Sequence, residues 1–89
     1  MHNDPLNIAN LINWLETKPA DEEYDYGSIH ECLFAQFFTH CGCTDVVCGS
    51  LSIDYNGLKE VRLPNVYNRI AVGRPSTFGA ALERAKSLA

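Results

Sequence analysis

The segment Ser28 to Cys41 (SIHECLFAQFFTHC) constrains the fold of this chain more than any other. Ser28 and Glu31 form an S-x-x-E capping box, in which the serine accepts from a first-turn amide and the glutamate reaches back to the cap, so a helix is expected to start there. Ile29, Leu33 and Phe37 line one of its faces, and Phe34, Phe38 and Cys41 another. A helix that is apolar on nearly every side has to be covered on several sides, which puts it at the centre of the fold. Gly42 supplies the stop. With 89 residues in all, only about 60–65% of the unfolded surface can be removed from water. One such helix therefore implies one core, and residues 1–89 are expected to form a single domain.

The elements around it can be read in turn. Asp4-Pro5 is expected to open a first helix, with an acidic cap and a proline in the first turn. Ile8, Leu11, Ile12 and Leu15 make its apolar stripe, with Trp14 at the edge, and Pro19 ends it. Residues 19–27 (PADEEYDYG) read as an acidic loop with two tyrosines. From Val46 the period changes to two. Val47, Gly49, Leu51, Ile53 and Tyr55 alternate with Cys48, Ser50, Ser52 and Asp54, and a second strand follows Asn56-Gly57, from Leu58 to Leu63. A two-residue turn would set Ile53 against Glu60. A three-residue loop with Gly57 left-handed pairs Ile53 with Lys59, Leu51 with Val61 and Gly49 with Leu63, and is the expected register. Residues 65–72 (NVYNRIAV) suggest a short helix with Asn65 as cap and Gly73 as stop. Ser76 or Thr77 is expected to cap a last helix whose Phe78, Ala81, Leu82, Ala85 and Leu88 fall at helical spacing.

This order predicts an α+β domain: two N-terminal helices, a β-hairpin alone or within a small antiparallel sheet, a short helix and a C-terminal helix. Phe34, Phe37 and Phe38 are expected in the core with Phe78 near them. An apolar fraction of 46% argues against disorder. No apolar run reaches the roughly 18 residues of a membrane span, and Met1-His2-Asn3-Asp4 does not read as a signal peptide. A cytoplasmic protein without membrane association is expected.

Charge is divided along the chain. Residues 1–57 hold nine carboxylates against Lys18 alone, and residues 58–89 hold Lys59, Arg62, Arg69, Arg74, Arg84 and Lys86 against Glu60 and Glu83. The net charge of −4 opposes nucleic-acid binding over the whole surface.

Cys32, Cys41, Cys43 and Cys48 cluster with His30 and His40. Zinc sites draw four converging ligands from paired knuckles, and only Cys43-x4-Cys48 approaches that spacing. Cys32 and Cys41, on one helix, would stand ~13 Å apart by the helical rise. The thiols are expected to be reduced and metal-free. Cys32 near a helix N-terminus has the setting of a lowered pKa, but a cysteine hydrolase draws its histidine from elsewhere, and none follows His40. The run from Gly73 to Gly79 ends at a helix start yet lacks the P-loop pattern. No catalytic, cofactor-binding or metal-binding residue is assigned.

Two stretches, Tyr24-Asp25-Tyr26 followed by Cys32-Leu33-Phe34-Ala35-Gln36-Phe37, and Ile70 to Leu82 (IAVGRPSTFGAAL), together with Leu11 to Leu15 (LINWL), resemble a set of small uncharacterised proteins of bacteria, prophages and phages. The resemblance covers most of the chain and carries no activity. It implies a context in which small acidic proteins of mobile elements bind and disable a host protein, as anti-CRISPR and anti-restriction proteins do. The expected function is therefore non-enzymatic: protein binding, in an inhibitory accessory role within the host cytoplasm. Candidate contact residues are Asp21, Glu22, Glu23, Tyr24, Asp25 and Tyr26 of the acidic loop, or Arg69 and Arg74 of the basic half. The expected partner is a host protein or complex, with a basic nucleic-acid-binding surface if the acidic loop makes the contact, and a homodimer is an alternative. Two rival classes are a nucleic-acid-associated regulator using the basic half, and a structural Cys/His metal-binding protein.

Overall fold

In the computed structural model, which describes residues 4–25, 30–49 and 51–88, the segment Leu33–His40 (α2) forms the centre of the aromatic core. Leu33, Phe34, Ala35, Phe37 and Phe38 are all buried, as expected of a helix apolar all round. Each ring meets a different element. Phe37 packs on Trp14 of α1 (Ile8–Leu15), with ring centroids 5.3 Å apart, and Trp14 meets Phe78 of α4 (Phe78–Leu88) edge-on at 5.7 Å. Phe34 stacks on Tyr67 of α3 (Asn65–Val72) at 4.8 Å. Phe38 meets Tyr55 edge-on at 5.0 Å, and Tyr55 belongs to the sheet. Geometries of this kind contribute beyond the apolar area they bury.

The sheet is a three-stranded antiparallel meander, β1 (Val47–Cys48), β2 (Ser52–Tyr55) and β3 (Leu58–Arg62). The fold class is thus α+β, with four helices and one small sheet among the described residues. Two strand expectations are corrected. The alternating run from Val47 to Tyr55 is not one strand. It reverses between Gly49 and Ser52, whose backbones are joined by an N–H···O bond of 2.8 Å, and Cys48 then faces Ile53. Gly49 suits a reversal, and alternation alone does not reveal it. Leu51, which alternation puts on the core face, lies at that turn and is 52% exposed.

The second correction is the register. Tyr55 pairs with Leu58 across a two-residue turn in which Asn56 and Gly57 both have positive φ (52° and 83°), the signature of a type I′ hairpin. Ile53 nevertheless faces Val61 rather than Glu60 or Lys59. A bulge resolves the conflict. Glu60 adopts φ 51°, its N–H donates to the Asp54 carboxylate at 2.8 Å, and one extra residue slips into β3, so the apolar pair meets.

Helix ends also differ from expectation. Asp4-Pro5 forms a preceding turn, and the cap of α1 is Asn7, whose side-chain oxygen accepts from the amides of Ala9 and Asn10. The α1 helix stops at Leu15, four residues before Pro19. The α2 helix starts at Leu33 with Cys32 as cap, later than the capping box implied; Ser28 and Ile29 lie outside the described residues. Its end is as expected. Gly42 N–H bonds to Thr39 O and Cys43 N–H to Phe38 O, the paired bonds of a Schellman motif. In α3 the cap position is Pro64, with no side-chain bond, and Asn65 is already helical. Thr77 caps α4, accepting from Ala80 N–H at 3.3 Å. Ala81 and Ala85 of α4 are fully buried, and their small side chains let α1 and α3 approach.

Candidate functional site

The acidic loop is not a free loop. Its backbone is laid along the start of α4 as a strap. Tyr24 N–H donates to Ser76 O at 3.0 Å, Phe78 N–H to Glu22 O at 2.9 Å and Gly79 N–H to Ala20 O at 2.9 Å, with Glu23 bridged to Thr77. A Cβ at position 79 would sit 2.7 Å from Ala20 O, so only glycine permits this approach. Asp21, Glu22, Glu23 and Asp25 are exposed along the strap. Glu22 pairs with Lys18 at 3.5 Å, and the Lys18 ammonium lies 4.9 Å from the centre of the Phe78 ring.

Tyr24 is a correction. Expected as an exposed anchor, it is 4% exposed and faces inward, with its ring 5.6 Å from Phe78. Its hydroxyl donates to Ala71 O at 2.9 Å and accepts from Arg84 Nη2 at 2.9 Å. Tyr26 lies outside the described residues.

Arg84 holds this corner together. Besides Tyr24, its guanidinium donates through Nε to Ile70 O at 2.8 Å and through Nη1 to Pro75 O at 3.1 Å. Ile70 and Ala71 belong to the last turn of α3, whose carbonyls lack partners within the helix. Arg84 and Tyr24 satisfy both. A Cβ at Gly73 would collide with the Arg84 side chain, so glycine there leaves the arginine its path. Sequence reasoning placed Arg84 on a basic face. The one clue to its inward role was the neighbouring glycine, and that clue reads equally well as a helix stop.

Arg69 and Arg74 are exposed, on α3 and in the α3–α4 connection. Arg69 lines an open cleft of about 390 Å³ with Glu83, Arg84, Ser87 and Leu88. The connection that carries Arg74 is the one on which the strap is pinned, so two surfaces read as rivals from opposite halves of the chain share one edge of the molecule. The rest of the basic half is largely engaged. Lys59 pairs with Asp54 at 3.8 Å and Lys86 with Glu16 at 3.7 Å, which ties the two charge-divided halves to each other.

Among the described residues no group of three or more His, Cys, Asp or Glu is placed to hold a metal ion. His30 is exposed, its Nδ1 3.3 Å from Val46 O. The four cysteines are free thiols in different settings. Burial pushes Cys41 up to about 11 and raises Cys43 as well. Cys32, capping α2 and in contact with Cys48, is lowered to about 7, first by the hydrogen bond from the Cys48 thiol and then by the N–H groups of the first helical turn, against burial. The same contact and burial push Cys48 well above the usual thiol range.

Comparison of the chain with protein-family models, with curated proteins and with solved structures finds no match. Among the described residues, no helix is long and apolar enough to cross a membrane.

Proposed function

We propose that this chain is a non-enzymatic binding protein that docks its acidic strap on a basic protein surface. The observation that supports this is the strap itself: exposed carboxylates at Asp21, Glu22, Glu23 and Asp25 on a backbone held by three main-chain bonds to the α4 end of the molecule. A pinned backbone loses little entropy on binding, and ordered like charges steer a partner of opposite sign. The inward turn of Arg84 and the pairing of Lys59 and Lys86 with surface carboxylates favour this reading over nucleic-acid binding through the basic half. The resemblance to small proteins of mobile elements extends the proposal to an inhibitory role against a host defence protein whose nucleic-acid channel supplies the basic surface.

The test is affinity purification from bacterial host lysate, followed by kinetics with the recovered partner. The variant Glu22→Lys, Glu23→Lys, Asp25→Lys should associate more slowly, and added salt should weaken the wild type more than the variant. Binding that ignores this triple change but collapses on Arg69→Glu or Arg74→Glu would move the contact to the basic side. Turnover of a small molecule by the purified chain would overturn the binding class.

A further inference from the structure

Cys32 and Cys48 belong to different elements, yet α2 packs on β1 and both side chains lie in one core cluster, where each thiol is the other's nearest electrostatic neighbour. Cys32 occupies the cap position that serine, threonine or aspartate usually fills, with extended backbone (φ −68°, ψ 167°), and its sulfur accepts from Ala35 N–H at 3.4 Å. A sulfur held against first-turn amides is in the setting that stabilises a thiolate. The Cys48 thiol donates to Gly49 O at 3.5 Å, and its pKa is raised by the neighbouring Cys32 and by burial. One sulfur is thus polarised toward the anion and the other retains its proton. Both keep a little exposure, 7% for Cys32 and 9% for Cys48, where Cys41 has 2%.

We propose that Cys32 and Cys48 are a redox pair that a peroxide converts to an intrachain disulfide joining the start of α2 to β1. The Cys32 thiolate attacks one oxygen of hydrogen peroxide. The O–O bond breaks, hydroxide leaves, and Cys32 becomes a sulfenic acid. The Cys48 thiol then attacks the Cys32 sulfur, its proton goes to the departing hydroxyl, and water leaves as the S–S bond forms. Two electrons pass from the two thiols to the peroxide. Two equivalents of a small thiol return the pair to the reduced state and are themselves oxidised to a disulfide. Closing the bond brings the sulfurs to about 2.05 Å and replaces the cap on α2 with a covalent tie to the sheet. Cys41 and Cys43 take no part, because burial keeps both protonated.

The experiment treats the reduced chain with hydrogen peroxide and maps the product by mass spectrometry. No lysine or arginine lies between Lys18 and Lys59, so trypsin leaves all four cysteines on one peptide. Cleavage at the phenylalanines of α2 and at Asp45 separates Cys32, the pair Cys41 and Cys43, and Cys48. The expected result is loss of two hydrogens, a Cys32–Cys48 cross-link, and Cys41 and Cys43 still open to alkylation. In Cys48→Ala the same treatment should stop at a sulfenic acid on Cys32 that dimedone captures. Four alkylatable thiols after about a tenfold excess of peroxide, a cross-link that includes Cys41 or Cys43, or one between two chains would each overturn the proposal. The mapping on the wild-type chain decides the matter even if the variant fails to fold.

Discussion

Phe37 and Tyr24 show how far a single residue can be read. Phe37 is fully buried against Trp14 of α1 and its neighbour Phe38, and Phe37→Ala should cost about 3–5 kcal/mol, a large share of what so small a domain has. Denaturant unfolding should show the midpoint fall with little change of slope. This burial was legible in the sequence, because an apolar residue on a helix apolar all round has no wet side to choose. Tyr24 was not legible. Its neighbours in sequence are acidic and exposed, and what draws it inward is a hydroxyl bond to Arg84, 60 residues away in the chain. Tyr24→Phe keeps the ring on Phe78 and removes only the hydroxyl, leaving Ala71 O without its donor. It should destabilise by about 1–2 kcal/mol. Since the four carboxylates are untouched, association with a basic partner should be nearly unchanged, which separates a structural tyrosine from a contact tyrosine.

Among the elements, helices were read more closely than strands. Each helix was named, and errors were confined to helix ends, where Asn7, Cys32 and Pro64 hold the cap positions and α1 stops at Leu15, short of Pro19. Strand register depends instead on local backbone choices. The tight turn and the apolar pairing of Ile53 looked incompatible, and the Glu60 bulge, held by Asp54, satisfies both. A bulge leaves almost no trace in an alternating pattern. The left-handed conformation of Gly57 was legible, although it was expected in a three-residue loop and occurs in a two-residue Asn-Gly turn. Nothing lies within 4 Å of a Cβ added there, so Gly57→Val meets no clash. Its whole cost is backbone strain, about 1–2 kcal/mol or more, and thermal melting should show it. At the α3–α4 corner, Arg84→Ala removes three hydrogen bonds at once and should cost about 2–3 kcal/mol. Arg84→Lys should not restore it, because one ammonium cannot match the fork that reaches Ile70, Pro75 and Tyr24. Amide exchange should speed up first along the strap and the end of α3 in both variants.

At the scale of the whole molecule, the charge division seen in the sequence closes on itself through the surface pairs Lys59–Asp54 and Lys86–Glu16, and these contribute little to stability. Stability should therefore respond to pH chiefly through buried groups. Cys41, Cys43 and Cys48 are raised above an ordinary thiol value of 9.0, and Tyr67 is raised above 10.0, all with burial among the causes and with Asp4 adding to the rise at Cys41 and Tyr67. For each, the unfolded chain releases its proton at lower pH than the folded one. The folded state then binds more protons, and stability falls as pH rises above about 9. Cys32 works in the other direction. Lowered to about 7, it keeps its proton longer in the unfolded chain, so stability rises with pH between about 7 and 9 and is complete beyond that. The two trends predict a maximum of thermal stability near pH 9 for the reduced protein. Cys32→Ser separates them, since a serine hydroxyl still caps α2 but does not titrate in this range. In that variant the rise from pH 7 to 9 should vanish while the alkaline decline stays. A wild-type curve flat across this window, or a variant that keeps the rise, would show that Cys32 is protonated in the folded chain at neutral pH and that its amide cap does not hold an anion.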